Sequence, residues 1–225
     1  MSIAKASQTC GVPIVTGDTK VVPRGAADGL FLNTTGIGRL RPGVDLGTHR
    51  VKPGDRVLVS GTIGDHGIAI LSAREGLELD AARSDTTFIF DLVRSLYDAS
   101  IDVHFLRDPT RGGVSTVLHE VAEAAGVSIL IEEAALPISE PVRGACEILG
   151  LDPLYVANEG KVIAIVGSDD VEKALGCWRQ HPLGERAALI GEVLSPTSAP
   201  VLLRNAFGVV RILDEPNGAL LPRIC

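Results

Sequence analysis

The chain lacks most of the features that announce a function class. Its four cysteines, Cys10, Cys146, Cys177 and Cys225, are far apart and show no CxxC spacing. That argues against structural zinc and against a disulfide framework, so the thiols are expected to be reduced. No apolar run reaches the ~18 residues needed to span a bilayer, and the first residues carry no signal-peptide pattern. A cytoplasmic protein with no membrane partner is expected. Positive charge is also short: 21 Lys and Arg face 28 Asp and Glu, for a formal net charge of −7. Such a surface repels phosphate backbones, which argues against nucleic acid as a partner. No G-x-S-x-G, no H-E-x-x-H and no Cys/His cluster with metal spacing occurs.

What is present suits a compact protein of mixed helices and strands. Hydrophobic residues make up 45% of 225, with 25 glycines and 13 prolines for short loops. Ser2 to Thr9 reads as the end of an amphipathic helix closed by Gly11. Val12 to Thr16 reads as a buried strand and Gly29 to Ile37 as a second one. Residues 39–52 are polar and irregular, which places a domain boundary near 40–50. Pro53-Gly54-Asp55 is a turn signal.

Beyond it strands and helices alternate. Strands are expected at 56–60, 102–106, 127–131, 162–166, 187–194, 201–203 and 209–213. Helices are expected up to about Arg74, over 88–100 with Phe88, Leu92, Leu96 and Ala99 on one face, up to Ala125, over 140–149, and over 169–179 with Ser168 as N-cap. That order predicts an α+β (α/β layered) fold. The division expected is 1–45 as a partial N-terminal α/β domain, 46–204 as the main domain, and 205–225 as a flexible tail.

Several stretches carry chemical potential. In Gly17-Asp18-Thr19-Lys20 a carboxylate suited to a divalent cation sits beside a lysine suited to phosphate; the same stretch also reads as a solvated surface turn. Gly61-Thr62-Ile63-Gly64-Asp65-His66-Gly67 puts three glycines between a strand and a helix, where backbone amides can approach an anion. It matches neither a P-loop nor a dinucleotide fingerprint, and His66 also reads as a structural hydrogen-bonding residue.

Asp108-Pro109-Thr110-Arg111-Gly112-Gly113 can turn Asp108, Thr110 and Arg111 into one site, or serve as a strand–helix connector with a capping Asp. Asn158-Glu159-Gly160 places an acid at the mouth of a strand, where it is either a general base or part of an ordinary turn. Pro222-Arg223-Ile224-Cys225 puts a thiol on a swinging end, or is a frayed terminus that happens to finish in cysteine.

Together GDTKVVPRGAADGLF (17–31), SGTIGDHGIAI (60–70), DPTRGG (108–113), NEGK (158–161) and PRIC (222–225) resemble the HypE family, the carbamoyl dehydratases of nickel–iron hydrogenase maturation. These belong to the superfamily of aminoimidazole ribonucleotide synthetase, thiamine-monophosphate kinase and selenophosphate synthetase, and the resemblance covers essentially the whole chain. It implies a synthetase-like C-terminal domain and an ATP- and Mg2+-dependent enzyme that dehydrates a carboxamide on Cys225 to a thiocyanate. It implies Glu159 as catalytic base, Asp18 and Lys20 as nucleotide ligands with Asp18 also on the metal, and Gly64, His66, Asp108, Thr110 and Arg111 lining the nucleotide and phosphate site.

The partners implied are the carbamoyltransferase HypF, the HypC–HypD iron scaffold, and a second copy of the full-length chain. Family members carry a further N-terminal segment with additional metal-binding carboxylates. Poor MgATP binding by this chain alone is therefore expected. A carrier that presents Cys225 without catalysis is the competing reading.

Overall fold

The computed structural model describes residues 2–77 and 83–216. Cys225 and the rest of the PRIC motif lie outside the described residues. The chain divides into two compact units, one ending at Val44 and the other beginning at Asp45.

The first unit holds one helix, α1 (Ser2–Cys10), which ends at Gly11 with φ +64°. The strands expected at 12–16 and 29–37 do not form, and no strand occurs among the described residues of this unit. Val15 is 87% exposed and Ile37 99%. A β-rich sequence becomes a strand only when a neighbour takes up its backbone hydrogen bonds, and no neighbour within the unit does so. Among its described residues this unit, expected as a partial α/β domain, is one helix followed by chain with turns and bends but no strand.

The second unit is a single mixed sheet with helices on both faces. In chain order its elements are β1 (Arg56–Val59), α2 (Asp65–Glu75), α3 (Phe90–Asp98), β2 (Val103–Arg107), α4 (Gly113–Ala125), β3 (Ser128–Glu132), α5 (Glu140–Leu149), β4 (Ile163–Val166), α6 (Val171–Arg179), β5 (Ala188–Leu194), β6 (Val201–Arg204) and β7 (Val210–Ile212). Strand order is β2-β4-β1-β5-β3-β6-β7. All neighbours are antiparallel except β3 and β6. Because β7 extends the sheet beyond residue 204, part of the segment expected as tail is sheet edge.

The layers follow from the two-residue period of a strand. Val57 and Val59 point to the face covered by α4, whose Val114, Val117, Leu118 and Val121 complete one core. Leu58, between them, points to the opposite face, with Ala164 and Val166 of β4. There it meets Leu92 and Leu96 of α3 and Ala174, Leu175 and Trp178 of α6. The indole N–H of the fully buried Trp178 donates to the Leu92 carbonyl at 3.1 Å, so its one polar atom is satisfied. A third cluster packs α2 on α5 through Ile68, Val142, Ala145 and Cys146.

Ser168 does not cap α6. It opens a single 3-10 turn, and the cap position falls to Asp170, which makes no side-chain capping bond. Among the described residues no helix is long and apolar enough to cross a membrane.

Candidate functional site

Sheet register brings three of the singled-out loops to one place. Val59 at the end of β1 pairs with Ile163 at the start of β4, and Ile163 pairs on its other side with Arg107 at the end of β2. Because both pairings are antiparallel, the loops at 60–67 and 108–113 leave the sheet at the same edge where the turn at 158–161 enters it.

The junction is built on Asn158, which is fully buried. Its side-chain oxygen accepts the Gly64 N–H at 2.8 Å. Its side-chain NH2 donates to the Pro109 and Val156 carbonyls, each at 3.0 Å. Its own backbone N–H also donates to the Pro109 carbonyl, at 3.1 Å. One carboxamide therefore ties all three loops, using both its donors and an acceptor lone pair. Ser60 reinforces the seam: its N–H donates to the Val162 carbonyl and its hydroxyl accepts the Val162 N–H, both at 3.0 Å.

The glycines of these loops are there for close approach. Gly113 opens α4 with φ +62°, and a Cβ there would lie 2.6 Å from the Leu154 and Val156 carbonyl oxygens. A Cβ on Gly160 would lie 1.8 Å from the Asp85 carbonyl oxygen, because the segment at 84–87 lies directly over the turn.

That overlying segment went unassigned in the sequence. Asp85 accepts the Glu159 N–H on Oδ1 at 3.1 Å. Its Oδ2 lies 3.2 Å from the Lys161 ammonium, at an angle too poor for a hydrogen bond, which leaves a buried ion pair without one. The flanking Ser84 and Thr86 hydroxyls lie 2.8 and 3.3 Å from His66 Nδ1. The remaining His66 nitrogen, Nε2, is buried with no partner among the described residues. Segment 84–87 thus fastens the glycine-rich loop to the Glu159 turn.

Gly64, His66, Thr110 and Glu159 stand in or beside this junction. Thr110 is half-buried and its carbonyl accepts the Gly113 N–H at 3.0 Å. Glu159 is half-buried, while Asp108 and Arg111 are exposed. Asp108 does not cap α4; Gly112 holds the cap position without a side-chain bond. Asp18 and Lys20 are exposed in the first unit, and Asp18 Oδ1 accepts the N–H of its neighbour Thr19 at 2.8 Å. A single exposed carboxylate fits Mg2+ only as one ligand among phosphate and water oxygens. No group of three or more His, Cys, Asp or Glu suited to a metal occurs among the described residues.

The last described stretch before residue 217 is secured to α4 and the turn at 153–155. His119 Nε2 lies 3.0 Å from the Leu213 carbonyl, and the Tyr155 hydroxyl donates to the Asp214 carbonyl at 2.8 Å. Burial, then the Asp152 charge, raises the Tyr155 phenol above its ordinary range.

Residues 52–200 match the family model for the AIR synthase related protein, C-terminal domain. The fold superposes on the crystal structure of Escherichia coli HypE with a TM-score of 0.93 and 49% identity, covering 100% of this chain and 69% of that one. The chain belongs to the AIR synthase-related family, in its HypE branch. Among curated HypE relatives it is similar to the hydrogenase expression/formation protein HupE of Azotobacter chroococcum, 50% identical over 225 residues. It is likewise similar to the carbamoyl dehydratase HypE of Azotobacter vinelandii, at 49%. It covers 100% of its own length in both and spans 66% of theirs. It also resembles a HypE solved in complex with ATP (TM-score 0.87, 42% identity, covering 100% of this chain and 68% of that one). The HypE of a HypE–HypF complex gives a TM-score of 0.86 at 42% identity, covering 96% and 70%.

Proposed function

We propose that this HypE-family chain takes part in the ATP-dependent dehydration of a carboxamide carried on the Cys225 sulfur, leaving a protein thiocyanate. The observation that carries the reading is the junction on Asn158, which sets Glu159 beside the glycine-rich loop and the Pro109 loop. The kinship with a HypE solved with ATP supports nucleotide use. The kinship with a HypE solved with HypF supports HypF as the partner that loads the sulfur.

The chemistry divides into two balanced steps. An amide oxygen is a poor leaving group, so it first attacks the γ-phosphorus of ATP. ADP departs, one nitrogen proton is lost, and an O-phosphorylated imidate remains. Glu159 then takes the last nitrogen proton while the C–O bond breaks with its electrons going to phosphate, and the nitrogen pair completes the C≡N bond. Lys20 is suited to phosphate oxygens as a point charge, and Asp18 would lend one oxygen to Mg2+, which when bound would offset the charge on the phosphates. Within the second unit, the backbone amides of the Gly61–Gly67 loop, with Thr110 and Arg111, are suited to a phosphate group, and His66 holds the loop in place against Ser84 and Thr86.

A carrier thiol at the last position of the sequence has a clear use here, because one sulfur serves the loading enzyme, its own site and a recipient. The HypC–HypD scaffold is the recipient this reading names; cyanide passes from the thiocyanate to its iron as a two-electron donor on the recipient, the iron or a thiolate, returns the Cys225 sulfur to the thiol level. A homodimer belongs to the same reading for the longer chain.

Intact mass tests it. With carbamoyl phosphate, the cognate carbamoyltransferase and ATP raised far enough to fill a weak nucleotide site, the chain gains one carboxamide and then loses one water, and Cys225→Ala gains nothing. Gain without water loss favours the carrier reading, and modification that survives Cys225→Ala overturns both.

A further inference from the structure

We propose that Asp85 is a positioning residue for Glu159, setting the base through its backbone; the inference rests on the reading of Glu159 as the proton acceptor. Nothing in the local sequence of Asp85 marks it, since Arg83-Ser84-Asp85-Thr86-Thr87 reads as an ordinary polar connector. Its side chain is only 5% exposed. Burying a carboxylate is costly unless its oxygens are occupied. Here one oxygen holds the Glu159 N–H and the other faces the Lys161 ammonium, whose side chain is 11% exposed.

The backbone of Asp85 acts on the same turn. Its carbonyl oxygen fills the space that a side chain at position 160 would need. The turn is thus clamped twice, by the side chain on the residue-159 amide and by the carbonyl over Gly160. A half-buried glutamate with its amide fixed in this way has its Cα–Cβ vector aimed before any substrate arrives, and misplacement of a reacting group by about 1 Å is enough to cost ~100-fold in rate. Through Ser84 and Thr86 the same segment bears on His66, so base and glycine-rich loop are registered against each other.

The competing role for Asp85 is that of counter-ion to buried Lys161. Two neutral pairs separate the roles. Asp85→Asn/Lys161→Met removes both charges and keeps an oxygen for the Glu159 N–H. Asp85→Ala/Lys161→Met removes both charges and the acceptor. Each is made in the full chain, loaded with carboxamide on Cys225, and followed for water loss as ATP is varied, with amide hydrogen exchange read at Glu159.

The Asn pair is expected to dehydrate within about threefold of wild type. The Ala pair is expected to fall by about tenfold or more at saturating ATP, with half-saturation unchanged and Glu159 exchange faster by a similar factor. Equal rates in the two pairs, or Glu159 exchange unchanged in the Ala pair, would overturn the proposal. If wild type loads carboxamide but never loses water, the functional reading falls. Glu159 exchange then decides alone whether Asp85 fixes that residue.

Discussion

The Asn158 carboxamide oxygen accepts the Gly64 N–H at 2.8 Å, joining residues 94 positions apart in the chain. Asn158→Ala leaves that buried donor and the Val156 carbonyl without the partner each has now, and should destabilise the fold by roughly 2–4 kcal/mol in urea unfolding. Asn158→Asp keeps the acceptor but turns both donors into a carboxylate facing two carbonyls. It should be at least as damaging near neutral pH and partly relieved in acid, where a protonated carboxyl can donate.

Gly160→Ala tests the close packing of segment 84–87. The new methyl carbon meets the Asp85 carbonyl oxygen at 1.8 Å, so backbone must move. A loss of about 1–3 kcal/mol in the same unfolding assay is expected, as for other overpacked sites. An unchanged midpoint would mean that the segment lifts freely.

Legibility in the sequence varied for a physical reason. Helices and strands of the second unit could be read because their signals are local; Val57, Leu58 and Val59 state by alternation that both faces of β1 are covered. The strands expected at 12–16 and 29–37 failed because strand formation depends on a partner that local pattern does not reveal. Glu159 and the glycine-rich loop stood out by composition, yet their adjacency depends on the register of β1, β4 and β2. Lys161 was visible in NEGK without a role. Asp85 carried no signal, because its partners lie 74 and 76 positions away and burial alone makes it unusual.

Away from the site, His104 sits between Asp55 and Asp102, with ring nitrogens 2.7 and 2.9 Å from their carboxylate oxygens. The Asp102 carboxyl is held below its ordinary value of 3.8, first by the His104 hydrogen bond and also by Arg50. A depressed carboxylate contributes stability above its unfolded value and loses it as pH falls through the folded one. The stability gap between wild type and Asp102→Asn should therefore be full above pH 3.8 and shrink below it. The side chain is 52% exposed, so solvent screening keeps the gap small. Urea midpoints across the acid range test the direction.

Cys146 should be inert in the folded chain. Burial, reinforced by the Asp152 charge, pushes its thiol up to about 11. At pH near 8 only on the order of one molecule in a thousand then carries the thiolate that reacts with alkylating agents. Brief iodoacetamide treatment followed by peptide mass mapping should leave Cys146 unlabelled until the chain is unfolded. Labelling at the rate of an open thiol would contradict its burial.

The assignment of Glu159 as base is tested most directly by Glu159→Gln in the intact-mass experiment. The variant keeps the backbone N–H that Asp85 accepts and loses only the carboxylate. It should gain the carboxamide on Cys225 at the wild-type rate and then hold it, with water loss slowed by ~100-fold or more. Water loss at the wild-type rate would contradict a catalytic role for Glu159 and move the proton acceptor elsewhere.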